Sequence, residues 1–330
     1  MKILCVGLGG AGQRLVRHTR DLLGKEAQFL AFRSRGRPDL IRPDFTIDTS
    51  ATVESTYGIV TFKSLKAALA EKPDAAIIAN PTHLHVETAI QCAKAGCHVL
   101  IEKPLGHEAK RLPELKRALK GRVGLVGYMM RFHPCLKRID ELVKSRLLGK
   151  VLWARLESGS YVPSWHPYEN YAELYAVRRK MGGGVLLTES HDLDLASWYF
   201  GRPSKVTATG GRLSGYKGDA EDTASLLLDY GFPVTVNLCF MQRPASRQIA
   251  ISLQNGRIEW AGGNHLKVFN AMRNAWAEFN AEGHERDHLF RDLVRHFVAC
   301  IQGSEKPVVG IEAGAESLAI ALKALKQIGR

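Results

Sequence analysis

Lys103 follows three apolar residues, Val99, Leu100 and Ile101, with Glu102 between them and Pro104 and Gly106 behind. A continuously apolar run of this kind reads as a strand buried on both faces, so it delivers an acid and an amine together to its C-terminal end. An amine there can exchange a proton with a substrate hydroxyl while a hydride moves. Partial desolvation and a nearby cation must first bring it down from its ordinary value of about 10.4. The competing reading is a surface Glu–Lys pair, contributing less than about 1 kcal/mol.

A second group lies in GGGVLLTESHDLDLASWYFG, residues 182–201. Helical spacing predicts Thr188, His191, Asp194 and Leu195 on neighbouring turns, with Trp198 below. A histidine beside a carboxylate suits proton transfer or hydroxyl binding, and also suits a satisfied structural pair. The triple glycine before it reads as a loop that other atoms approach closely.

A third group is GLGGAG, comprising Gly7, Leu8, Gly9, Gly10, Ala11 and Gly12. It follows a strand and opens a helix, the setting in which GxGxxG turns toward a pyrophosphate and helix N–H groups meet the phosphates. An acidic residue about 20 positions on would take the ribose hydroxyls of NAD. Here Arg33, Ser34 and Arg35 stand at the end of the next strand, and arginine suits the 2′-phosphate of NADP. Stacking on adenine, or a solvated loop, is the alternative. NADP is therefore the expected cofactor, with NAD second.

In IIANPTHLH a strand ends in Asn80 and Pro81, and Thr82 is placed to cap the next helix. With His85 this turn reads as cofactor-lining. Two histidines, His83 and His85, without nearby thiols or carboxylates predict no metal site.

The elements that must carry these groups change character along the chain. Residues 1–125 alternate apolar strands with helices, which predicts a parallel, doubly covered sheet of the Rossmann type binding NAD(P). Residues 126–330 read as an α+β domain with a mostly antiparallel open sheet, serving substrate binding and oligomerisation, its C-terminal helix packing back on the first domain. Val234, Val236, Leu238 and Phe240 alternate as one buried face, and Asn255-Gly256 signals a tight hairpin. PCLKRIDELVKSRLLG predicts a helix with Leu136, Ile139, Val143 and Leu147 as its apolar stripe.

The chain has 330 residues and a net charge of +13. Residues 110–150 carry 12 Lys or Arg against Glu114, Asp140 and Glu141. A solvated helix face accounts for most of this, and without a reader motif nucleic acid is excluded as a partner. The field favours an anionic small substrate. No run reaches about 18 apolar residues, and the N-terminal apolar stretch meets glycines too soon for a signal core, so no membrane partner is expected. Six scattered cysteines without a CxxC pair fit reduced thiols and a cytoplasmic location.

These segments together resemble the Gfo/Idh/MocA oxidoreductases over essentially the whole chain, through GLGGAG, NPTHLH, AGCHVLIEKPLG, GYMMRFHP, GGGVLLTESHDLD and KPVVGIEAGAESL. The resemblance implies that Glu102 contacts the nicotinamide ribose and that Lys103 is the catalytic proton donor or acceptor, assisted by His191. It implies a sugar, nucleotide sugar or cyclitol as substrate, and a homodimer or homotetramer. Tyr128, Arg131, Trp165, Thr188, Glu189 and Asp194 fall where substrate contacts are expected. The family pattern puts an aspartate where this chain has Thr188, in a loop one residue shorter. Glu189 replaces that carboxylate, or Lys103 and His191 suffice, or activity is altered or lost. Two rival readings follow: a cofactor-binding sensor without turnover, and an NAD-dependent glycosidase that uses its cofactor transiently.

Overall fold

The computed structural model describes residues 1–33, 39–166 and 168–329, so Ser34 and Arg35 lie outside the described residues. The chain forms two compact units. Unit 1 holds Met1–Met129, His166–Glu169 and Asp287–Ala315; unit 2 holds Met130–Trp165, Asn170–Arg286 and the chain from Glu316.

Unit 1 runs β1 (Lys2–Val6), α1 (Gly10–Leu23), β2 (Gln28–Phe32), β3 (Asp39–Ile41), β4 (Ile47–Thr52), α2 (Val53–Tyr57), β5 (Ile59–Phe62), α3 (Leu65–Ala70), β6 (Ala75–Ile78), α4 (His85–Lys94), β7 (His98–Ile101), α5 (Leu112–Ala118) and β8 (Gly124–Val126). Six strands pair in parallel in the order β5-β2-β1-β6-β7-β8. Every residue of β6 is buried, as are the last three of β7, which is why these runs are apolar throughout. The strand order reverses between β1 and β6, so the turns that leave these two strands open at the switch point where α/β sheets hold ligands. At the far edge, Val126 N donates to Val309 O at 2.9 Å and Leu125 bridges Gly310.

Unit 2 supplies α6 (Pro134–Ser145), β9 (Val151–Tyr161), α7 (Val185–Thr188), α8 (His191–Phe200), β10 (Lys205–Gly211), β11 (Thr223–Asp229), β12 (Pro233–Cys239), β13 (Met241–Leu253), β14 (Gly256–Trp260), β15 (His265–Asn270) and β16 (Ala275–Asn280). The closing helices are α9 (Arg286–Ile301) and α10 (Ile311–Gln327). The eight strands order as β10-β11-β12-β9-β13-β14-β15-β16, with β12–β9 the parallel pair in an otherwise antiparallel sheet. Val234, Val236, Leu238 and Phe240 are all buried, as their alternation requires.

Three local expectations change. The buried stripe of α6 is Cys135, Leu136, Ile139 and Leu142; Arg146 turns left-handed and ends the helix, which leaves Leu147 exposed. The β13–β14 hairpin turns on Gln254 and Asn255, with Gly256 already paired to Leu253. Residues 185–200 form two helices, because the path breaks at Glu189 and Ser190.

Candidate active site

The glycine turn is built by close approaches. Gly7 has φ +95°, and a Cβ on it would stand 2.6 Å from Ala79 O; a Cβ on Gly12 would stand 2.2 Å from Gly7 O. Both positions demand glycine. A Cβ on Gly9, by contrast, would meet nothing within 4 Å. Open space therefore lies over the N-terminus of α1, whose first turn carries no acidic side chain. Backbone N–H groups at a helix start without acidic side chains suit an anion. Gln13 fixes the turn, donating from Nε2 to Leu8 O at 3.1 Å and to Asp39 O at 3.0 Å. Leu8 is buried, while Gly10 and Ala11 sit at the helix start. The Tyr168 hydroxyl stands 3.3 Å from the Cβ position of Gly10, in a ladder in which Tyr168 stacks on His166 and His166 on Phe45.

The ends of β6 and β7 lie alongside. Thr82 does not cap α4: a single 3-10 turn over Thr82–Leu84 intervenes, and α4 starts at His85 without a side-chain cap. Asn80 Nδ2 instead donates to Thr88 Oγ1 at 2.9 Å. His85 is buried, with its ring nitrogens 2.8 Å from Pro104 O and 2.8 Å from Asn80 O. Two carbonyl partners favour the charged ring, yet burial dominates and pulls its pKa to about 4. The neutral ring donates to one carbonyl at a time, tying the loop after β6 to the loop after β7. Glu102 Oε2 accepts from Lys103 N at 3.2 Å, and burial raises its carboxyl above the usual range. The Lys103–Pro104 bond is cis. Three oxygens at these strand ends, Asn80 Oδ1, Thr82 Oγ1 and Glu102 Oε1, are buried without a hydrogen-bond partner among the described residues. Buried acceptors are normally satisfied, so three together fit the hydroxyl and amide groups of a bound dinucleotide.

Arg33, just past β2, forms an ion pair with Glu54 in the first turn of α2. Glu54 carried no signal in the sequence reading. Pro81 opens the turn after β6 in an extended conformation.

In unit 2 the loop before α7 is shaped by glycine. Gly184 has φ +109°, and a Cβ there would stand 2.1 Å from Glu221 Oε1, so a buried carboxylate packs where a side chain would be. Thr188 ends α7 and His191 starts α8, and both are buried. Arg131 and Asp194, expected near substrate, form a buried two-point ion pair: Nε to Oδ2 at 2.8 Å and Nη2 to Oδ1 at 2.7 Å. Ser317 Oγ adds a donor to Asp194 Oδ1 at 3.1 Å, and the Arg131 guanidinium lies 5.3 Å from the Trp198 ring centroid. Desolvation raises the Asp194 carboxyl, with Arg131 opposing it. Tyr128 is fully buried. Trp165 donates from Nε1 to Ser160 Oγ at 3.1 Å and packs edge-on against Phe240.

Glu189 is held elsewhere. Arg247 on β13 donates to Glu189 Oε2 at 3.0 Å and to Ser158 Oγ at 2.9 Å. The same guanidinium stands 3.2 Å from Asp192 Oδ2. Asp192 is fully buried, and its carboxyl is pushed up to about 6, mainly by desolvation. Among the described residues, no group of three or more His, Cys, Asp or Glu is placed to hold a metal ion, and no helix is long and apolar enough to cross a membrane.

Residues 1–129 match the oxidoreductase family model with an NAD-binding Rossmann fold, and residues 136–259 match the Gfo/Idh/MocA C-terminal domain. The chain belongs to the Gfo/Idh/MocA family. It is 30% identical over 211 residues to an inositol 2-dehydrogenase of Leifsonia xyli subsp. xyli, covering 61% of this chain and 54% of that protein. It is 26% identical over 218 residues to a 2,7-anhydro-N-acetylneuraminate hydratase of Mediterraneibacter gnavus, covering 65% and 53%. The matches thus span about half the length of the curated relatives. A levoglucosan dehydrogenase solved with NADH and levoglucosan shares the fold, with a TM-score of 0.82 at 16% identity, covering 99% of this chain and 96% of that one.

Within this Gfo/Idh/MocA chain, sequence reasoning missed Glu54, Asp192 and Arg247. Arg247 lies in a polar part of β13 and meets its partners only because register sets it beside Ser158; no local spacing encodes that. Asp192 was within reach, as a carboxylate between His191 and Leu193 at the start of a helix whose residues are nearly all buried.

Proposed function

We propose that this chain transfers a hydride between a nicotinamide dinucleotide and a hydroxyl-bearing or keto carbon of a sugar, nucleotide sugar or cyclitol. The observation that carries the reading is the trio of unpartnered buried oxygens, Asn80 Oδ1, Thr82 Oγ1 and Glu102 Oε1, past the ends of β6 and β7 in the sheet that carries the glycine turn. When bound, the nicotinamide supplies or accepts the hydride. The turn from Gly7 to Gly12 cradles the pyrophosphate through its backbone, and Glu102 offers its free oxygen to a ribose hydroxyl. Lys103 exchanges the proton at the substrate oxygen, and His191 orients that oxygen. Arg131, Asp194, Trp165 and Thr188 serve the substrate from unit 2, and Tyr128 serves it from unit 1. Because Glu189 is held by Arg247, Lys103 carries the proton exchange without a carboxylate at position 188. Arg33 favours NADP, and the net charge of +13 favours an anionic substrate. Assembly as a homodimer or homotetramer through the open sheet accompanies this reading.

The lack of a carboxylate at position 188 favours one second reading, a protein that binds the dinucleotide without turnover. Lys103→Met separates the two. Nicotinamide absorbance is followed across sugars, nucleotide sugars and cyclitols in both directions, alongside dinucleotide titration. The proposal expects turnover in the unmodified chain and a loss of about 100-fold or more in the variant, with dinucleotide affinity kept within about twofold. Binding without turnover in either direction selects the second reading.

A further inference from the structure

Two side chains with opposite preferences meet where a dinucleotide would present its adenosine ribose. Arg33 leaves the C-terminal end of β2, the position from which Rossmann chains read the 2′ substituent. Glu54 reaches it from α2. The turn that carries it is held in place: Thr52 Oγ1 accepts from Ser55 N at 3.1 Å, and Ser55 Oγ accepts from Thr52 N at 3.1 Å, which fixes the first turn of α2 in a reciprocal cap. The strand after α2, β5, pairs with β2 from Phe29↔Ile59 to Phe32↔Phe62, so both ends of the pair rest on neighbouring strands. The two side chains are 16% and 22% exposed, dry enough for their charges to matter and open enough for a ligand to reach them.

The chemistry of the two coenzymes differs at one group. A 2′-phosphate is a dianion that seeks a guanidinium and is repelled by a carboxylate. A 2′-hydroxyl carries no charge and gains little from arginine. With Glu54 paired to Arg33, a 2′-phosphate must share the guanidinium with a carboxylate. We propose that Glu54 sets coenzyme selectivity in this chain: its carboxylate competes with the 2′-phosphate of NADP for Arg33, lowering the preference for NADP and admitting NAD. This rests on the dinucleotide reading above and adds to it a residue outside the glycine turn and the EKP segment.

The test is a titration of the full chain with NADPH and NADH, followed by nicotinamide fluorescence. The chains compared are the unmodified protein, Glu54→Gln, Arg33→Gln and the double variant, with Glu54→Asp retained in case the glutamine variant misfolds. Freeing a charged hydrogen-bonding partner is expected to tighten NADPH by about tenfold in Glu54→Gln, with NADH changed by less than about twofold. Glu54→Asp, whose shorter side chain loosens the pair, shifts the ratio the same way by less. Arg33→Gln weakens NADPH, and in the double variant the gain from Glu54→Gln disappears. An unchanged NADPH:NADH ratio in both Glu54 variants overturns the proposal. So does a loss confined to NADH, which makes Glu54 a ribose acceptor, or a gain that persists without Arg33. If the folded unmodified chain binds neither coenzyme, the dinucleotide reading itself falls.

Discussion

At Asp192, two carboxylates share one guanidinium: Arg247 serves both Glu189 and Asp192, and the deeper acid titrates near pH 6. A carboxyl raised in the folded state from its ordinary value of about 3.9 binds more protons folded than unfolded. Stability from this group is therefore full below about pH 4 and is lost as the pH rises toward 6. Asp192→Asn removes the buried charge while keeping an acceptor for Arg247. Its melting temperature is expected to exceed that of the unmodified chain by a few degrees above pH 6 and to match it below pH 4. Equal melting at all pH values would show that Arg247 fully compensates the charge. His85 works in the opposite sense, since burial depresses it to about 4 and acid pH charges a ring that the fold holds neutral. Comparison with the single variant separates the two slopes.

The strand–turn–helix from β1 into α1 separates packing from binding at neighbouring glycines. Gly12→Ala sets a methyl against Gly7 O and is expected to cost about 2–4 kcal/mol of stability. Gly9→Ala meets nothing, so it should melt like the unmodified chain and yet bind dinucleotide at least about tenfold more weakly. A Gly9→Ala protein with normal affinity would mean that the pyrophosphate lies elsewhere. This element was legible in the sequence because its demands are local: a turn, a close approach and a helix start within six residues. The same holds for β6 and β7, where burial on both faces leaves an unbroken apolar run. β16 was not legible, since all six of its residues are exposed and no face imposes alternation. The break at Glu189 and Ser190 was hidden for a different reason. Glu189 in that break is held by Arg247, more than fifty residues away along the chain, and a partner at that separation leaves no periodic trace. Arg33 was readable by its position after a strand, whereas its partner Glu54 depends on how α2 returns to the sheet.

Over the whole molecule, five of the six cysteines are buried and Cys239 is half-buried. Burial raises Cys5 to about 12 and Cys97 to about 11, where the reactive thiolate is scarce at neutral pH. A thiol-labelling reagent is expected to modify no more than one cysteine per native chain at neutral pH within minutes, and all six after denaturation. Rapid labelling of three or more would contradict the packing of β1 and α4. The edge of the first sheet has a consequence for how the protein is made. Residues 309 and 310 cover the free side of β8, yet they leave the ribosome only after the chain through Arg286, most of unit 2, has been synthesised. A nascent chain therefore carries an uncovered strand edge for on the order of 10 s of translation, the interval in which edge-to-edge pairing between neighbouring chains on one message is the main hazard.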